Sequence, residues 1–169
     1  MLIMNKTFVA VIDGTKARFF TLEYPEFPEH ESGPDLVEHE CLTNPIKELE
    51  EKQIWANTKT GNYCSARNTG HSYDDHRENH LLEFEHNFAK TIIEEIANLT
   101  RKHQSNQVIL VAESQIMGLI RQSLTHRLPK NIAVQELIKN LCKHKSMEIQ
   151  EHLAKKNLLP PRKVVNLKR

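Results

Sequence analysis

The alternation of apolar and polar residues is clearest at the start of the chain. Residues 7–23 read TFVAVIDGTKARFFTLE, two β-rich runs joined at Asp13-Gly14. Asp-Gly between alternating apolar residues is a strong hairpin signal, because both central positions tolerate positive φ. Val9 and Val11, then Ala17 and Phe19, form alternating sets expected to share one buried face. Pro25, Pro28, Gly33 and Pro34 break the next stretch into a loop. Residues 35–43, DLVEHECLT, predict a third strand with Val37, His39 and Cys41 on one side. The opening third therefore reads as an antiparallel meander.

Residues 44–73 are the least regular part. Pro45 starts a short polar helical piece, IKELEEKQ, ahead of Trp55. The stretch NTKTGNYCSARNTGHSY then reads as a long exposed loop. Asp74 or Asp75 is the expected N-cap of a helix over about 76–102. There Leu81, Phe84, Phe88, Ile92, Ile96 and Leu99 recur at spacings of three and four. QVILVA, residues 107–112, is a continuous apolar run of the kind a strand covered on both faces requires. Ser114 is the expected cap of a second helix with Ile116, Met117, Ile120 and Leu124 inward, ended by Leu128-Pro129. Ile132 and Val134 suggest a fifth strand, although VQELIKNL equally suits a helix start. Ser146 is expected to cap a last helix with Ile149 and Leu153 inward, and Pro160-Pro161 stops it. The order predicts one α/β domain over residues 1–156, a mixed five-stranded sheet with flanking helices in a ribonuclease H-like arrangement. Residues 157–169 remain as a basic, proline-containing tail.

Composition limits the options further. A chain of 169 residues can bury roughly 70% of its unfolded surface, so a core forms without disulfide staples. Its hydrophobic share is 38% and its mean hydropathy −0.57, which describes a polar globule. The longest apolar runs, 8–12 and 108–112, are far too short to span a membrane, and MLIMNKTF lacks the core of a secretory signal. A cytoplasmic address is therefore expected. Cys41, Cys64 and Cys142 show no CxxC spacing, which argues against a disulfide framework and a zinc ribbon.

The net charge of +1 conceals a strong asymmetry. Residues 23–51 hold ten acidic side chains against Lys47, whereas residues 101–169 hold fourteen Lys and Arg against four Glu. Such polarity can orient a protein on a polyanion, or it can be spent within the fold between the two segments.

The chemistry-bearing clusters are sparse. His71, Asp74, Asp75, His76 and His80 are the densest group of metal-ligand types, and His76 and His80 stand one helical turn apart. Position 77 is Arg, so the HExxH arrangement is absent. A solvated, capped helix start accounts for the group, and no metal or cofactor is assigned; His71, Asp75, His76 and His80 are the side chains that would ligate one. A nuclease would need converging acids, for which Asp13, Glu78 or Glu83, and Glu113 are available. The turn explains Asp13 and the strand-to-helix junction explains Glu113. No GxSxG, GxGxxG or GxxxxGK[ST] occurs, and Cys64 has no evident partner.

Two segments carry a family resemblance. VIDGTKARFFTLE resembles the opening of the bacterial host-attachment protein family: a strand, Asp-Gly, then an Ala-Arg-aromatic strand. VILVAESQIMGLIRQSL resembles that family's later block, a buried strand, a short turn and Gly-Leu-x-Arg on a helix. The resemblance covers about residues 7–155. This family is similar in turn to the middle domain of archaeal and eukaryotic class-one peptide release factors. That likeness implies a ribonuclease H-like fold and a translation-linked, RNA-facing role, with the ribosome or tRNA as partner. The family's name also implies a host-cell partner. No Gly-Gly-Gln is present, so peptide release is not expected. The long loop, SARNTGHSYDDH, keeps only Arg67 and Gly70 of an Asp-Arg-Pro-Gly-Arg-like stretch found in many relatives.

The candidate partner-binding residues follow from both lines. Arg18 and Arg121 fall within the resembling blocks, Arg67 lies in the long loop, and Lys130, Lys139, Lys143 and Lys145 extend the basic half. Phosphate contacts need cations on a common surface rather than a strict motif. The alternative is that Arg18 and Arg121 tie down the fold through carboxylates such as Glu113. The expectation is a non-enzymatic binding protein, with a hydrolase and a host-interaction factor as the competing classes.

Overall fold

A computed structural model describes residues 5–45 and 71–166, with side chains from position 86 in the long helix. The polar helical piece, Trp55, and the loop holding Arg67 lie outside the described residues. Eight elements follow in order: β1 (Thr7–Ile12), β2 (Lys16–Glu23), β3 (Asp35–Thr43), α1 (His71–Lys102), β4 (Gln107–Ala112), α2 (Ser114–Arg127), β5 (Ala133–Ile138) and α3 (Ser146–Lys155). The chain is α/β, with a mixed sheet in the order β3-β2-β1-β4-β5. β2 runs antiparallel to β1 and β3, while β4 runs parallel to β1 and β5.

Every residue of β1 is buried, and all of β4 but its first residue. These central strands are covered on both sides, which is why 107–112 reads as an unbroken apolar run. On one face Phe8, Ala10, Ile12, Phe19, Val108 and Leu110 meet Ile92, Ile96 and Leu99 of α1 and Met117, Ile120 and Leu124 of α2. On the other, Val9, Val11, Phe20, Leu22, Ile109 and Val111 meet Ile149 and Leu153 of α3. A fully buried Leu or Ile contributes about 1.5–3 kcal/mol of hydrophobic free energy, so both layers matter.

Several expectations need correction. Val9 and Val11 do not share a face with Ala17 and Phe19: Ile12 stands opposite Ala17 and Val11 opposite Arg18. The Asp13 carboxylate causes this by accepting from the Thr15 and Lys16 amides, each at 2.8 Å, which fixes a three-residue connection. A one-residue change in register moves every side chain to the opposite face. Cys41 likewise does not share a side with Val37, because β2 and β3 shift register between Arg18 and Phe20. α1 begins at His71, so Asp74 and Asp75 lie within the helix instead of capping it. Glu113 and Lys145 occupy the N-cap positions expected for Ser114 and Ser146. The 133–138 segment is a strand, and the helical alternative for VQELIKNL falls because β4 pairs with it along its length.

The last described residues fold back on the acidic loop. Leu159 is buried in the α3 layer. Gly33 and Lys163 exchange backbone bonds of 3.0 and 2.9 Å. Gly33 suits this crossing, since a Cβ there would meet Pro25 Cδ at 2.8 Å. Arg162 Nε donates to Asp35 Oδ1 at 2.6 Å, so basic and acidic segments partly pair within the molecule.

Candidate functional site

Parallel strands bring the carboxyl ends of β1, β4 and β5 to one edge of the sheet, where open α/β sheets commonly bind ligands. The connections leaving those ends are Asp13–Thr15, Glu113 and the segment 139–145. A cleft of about 390 Å³ opens between them, walled by Phe88, Ile92, Ile116 and Leu119 and rimmed by Asp13, Glu113, Asn140 and Lys143.

Much of the polar rim is committed to local structure. Thr15 Oγ1 donates to Asp13 Oδ1 at 2.6 Å, beside the two amide bonds. Burial alone would push the Asp13 carboxyl up, yet these bonds outweigh it and hold it below the usual carboxylate range. Buried Asn44 donates from its amide to Thr15 O at 2.7 Å and from Nδ2 to Gly14 O at 3.1 Å. Asn140 Nδ2 donates to Glu113 Oε1 at 3.0 Å, while its Oδ1 accepts from the Cys142 amide at 3.2 Å. Burial, reinforced by the neighbouring Asp13 carboxylate, pushes the Cys142 thiol up to about 12. A thiol so held stays protonated and is no nucleophile at neutral pH.

Arg18 organises the opposite side of this edge. Its Nη1 donates to the carbonyls of Cys142 at 2.9 Å and His144 at 2.6 Å. Nε and Nη2 grip the two oxygens of Glu38 at 2.7 and 2.9 Å. Arg18 is 12% exposed, its guanidinium lies 5.1 Å from the Phe20 ring centroid, and its hydrogen bonds hold the Glu38 carboxyl below its usual range. One side chain thus ties β2, β3 and the segment 139–145 together. Leu141 and Cys142 are buried beneath that segment, while Lys139, Lys143 and Lys145 are exposed upon it.

The remaining candidates are separated from this edge. Arg121 projects from α2 and grips Glu136 of β5, with Nε at 3.0 and 3.1 Å from its two oxygens. Lys130 stands before β5, at the opposite end of that strand. Both arginines therefore pair with carboxylates, but with Glu38 and Glu136 rather than Glu113. Lys130, Lys139, Lys143 and Lys145 make no ion pair among the described residues; Lys139 Nζ lies 3.3 Å from His152 Nδ1. Burial, and then the neighbouring Lys139 and His144, lower the His152 pKa, which favours the neutral ring that can accept from that ammonium. Asp13 and Glu113 rim one cleft, while the side chains of Glu78 and Glu83, and those of His71, Asp75, His76 and His80, lie outside the described residues.

Glu38, Glu136, Asn44 and Asn140 carry roles that sequence reasoning missed. Glu136 needed β5 to be known as a strand, and Glu38 needed the β2–β3 irregularity, which no residue pattern announced.

A family described as "protein required for attachment to host cells" matches residues 8–153. The chain belongs to this family. It is also 28% identical over 117 residues to an uncharacterized protein of Rickettsia prowazekii (strain Madrid E), covering 65% of this chain and 76% of that protein. The family match spans both strand blocks, the Arg18–Glu38 grip and the 139–145 segment. Among the described residues no helix is long and apolar enough to cross a membrane.

Proposed function

We propose that this chain is a non-enzymatic binding module whose partner is RNA, ribosomal or transfer RNA foremost, engaged through the segment 139–145. One observation carries this function: Arg18 holds that segment by two main-chain carbonyls, leaving its three lysines exposed on a fixed backbone. Cations presented on a fixed backbone lose less conformational freedom on binding than a free tail does. Lys139, Lys143 and Lys145 form no ion pair among the described residues, although the Glu148 carboxylate lies near Lys145, and the three can release counterions from a phosphate backbone. Arg18 acts as a positioning residue, and Arg67, which lies outside the described residues, is a further cation in this reading. Lys130 joins only where the nucleic acid reaches the far end of β5.

The strand order, with β2 alone reversed, supports a ribonuclease H-like architecture similar to the release-factor middle domain. The role assigned here omits peptide release, since the sequence holds no Gly-Gly-Gln. A cytoplasmic setting accompanies the RNA partner. Charge reversal at Lys139, Lys143 and Lys145 should abolish most co-sedimentation with ribosomes or RNA at low salt. Arg67→Ala should weaken it further, and neutralising Glu29 and Glu31 should change it little. Equal loss from the acidic and basic sets would overturn the assignment.

The family description favours a second function, a host-cell partner, for which we propose the same basic surface. Binding to host cells that survives the triple charge reversal would place that partner elsewhere. Metal-dependent hydrolysis at His71, Asp75, His76 and His80 is the remaining alternative. Stoichiometric metal in untagged protein, with turnover on a nuclease or phosphoesterase panel, would replace the binding-module account.

A further inference from the structure

β5 is the sheet edge next to α2, and it is unusually bare for a strand of a folded core. Five of its six residues are exposed, with Val134 and Ile138 at 43% and 60%. The Ala133 and Lys139 amides donate inward, to Asn106 and Ala112 carbonyls. By strand alternation the N–H and C=O groups of Val134, Glu136 and Ile138 point outward, away from β4. No proline or bulge interrupts this edge, although such devices normally blunt one. Beside it lies a groove of about 360 Å³, walled by Leu124, Leu128, Pro129, Ile132 and Val134.

We propose that β5 pairs antiparallel with β5 of a second copy of this chain, making a two-fold dimer with one continuous sheet. A two-fold axis perpendicular to the sheet keeps each face continuous, so only residues of the same face can stand opposite each other. Placing Glu136 on the axis sets Val134 against Ile138 of the second copy, twice. That register uses only outward-facing residues of β5. The register shifted toward Ile132 forfeits bonds, because the Ile132 amide already donates to Pro129 O at 3.1 Å. It also sets Val134 against a carboxylate instead of an apolar side chain.

The charges at the axis are balanced within each copy. Each Glu136 carboxylate is gripped by its own Arg121, so the two acids arrive with two guanidinium groups and sum to zero. Ile138 of the second copy lies opposite Val134, at the mouth of the groove. Both of the large apolar side chains that this edge exposes are thereby covered, and cross-strand apolar pairs of this kind stabilise a sheet.

Size-exclusion chromatography with light scattering on the 169-residue chain tests the pairing. The expected mass is twice 19.6 kDa for the parent chain. Ile138→Lys and Val134→Pro should each return the single-chain mass with an unchanged far-ultraviolet circular dichroism spectrum, since neither change touches a bond to β4. A parent chain that stays at the single-chain mass at high concentration, or two folded variants that both remain dimeric, would overturn the proposal.

Discussion

Arg18 and Arg121 look alike in the sequence, each within the span that the family matches, yet they do different work. Arg18 is almost enclosed and binds two main-chain carbonyls, a carboxylate and an aromatic face. Arg121 is 56% exposed and binds one carboxylate. The first links three separate parts of the chain; the second joins a helix to the strand beside it. An arginine whose fork is divided between backbone and acid is a fold determinant that also sets where a lysine-bearing segment stands. An exposed arginine–glutamate pair adds little to stability, because water already solvates both groups.

That contrast breaks most readily at Arg18. Arg18→Ala should cost about 2–4 kcal/mol in urea unfolding, since it strands Glu38 and two carbonyls at once. Arg18→Lys should recover only part of this, because an ammonium cannot reproduce the planar fork. If the proposed function holds, the same substitutions should also weaken RNA binding, through displacement of the segment 139–145.

Asp13 is expected to have the next largest effect. Asp13→Asn should cost about 1–2 kcal/mol, from weaker bonds to Thr15 and Lys16. The acid limb sharpens the point. Asp13 and Glu38 both have lowered pKa values in the folded chain. Their contribution is therefore complete above the usual carboxylate range and is lost as pH falls through the lowered values. Asp13→Asn with Glu38→Gln should flatten the fall in melting temperature on acidification. An unchanged acid limb would assign acid unfolding to other carboxylates.

Arg121→Ala is expected to have the smallest effect on the fold. In an Ile138→Lys background, where β5 pairing is blocked, it should leave the urea midpoint unchanged. A large loss there would erase the distinction between the two arginines.

How much of this was legible depended on whether a feature was local. The hairpin, the third strand, the long helix and the buried 107–112 strand all announce themselves through periodicity and apolar runs. The faces of β1 and β2 did not, because register depends on how the Asp13 side chain closes the turn rather than on alternation. β5 carries Ala133, Val134, Leu137 and Ile138, a spacing that fits a helical turn as well as a strand, so its pattern suited two periods until β4 paired with it. Charge counting marked residues 101–169 as basic, but not which cations remain available. Separating the four lysines from the two paired arginines required Glu38 and Glu136, which sit 20 and 15 residues from their partners. Helix caps failed for a related reason: Ser114 and Ser146 sit one position inside their helices.

The most direct test of the central claim is the salt dependence of RNA binding by the parent chain and by the variant with Lys139, Lys143 and Lys145 all changed to Glu. Each neutralised phosphate contributes about 0.7–0.9 to the slope of log affinity against log salt, so losing three contacts should flatten it by about 2–3. The account predicts that flattening, together with weaker binding at every salt concentration. Identical slopes for the two proteins, or no binding of the parent chain at low salt, would contradict it.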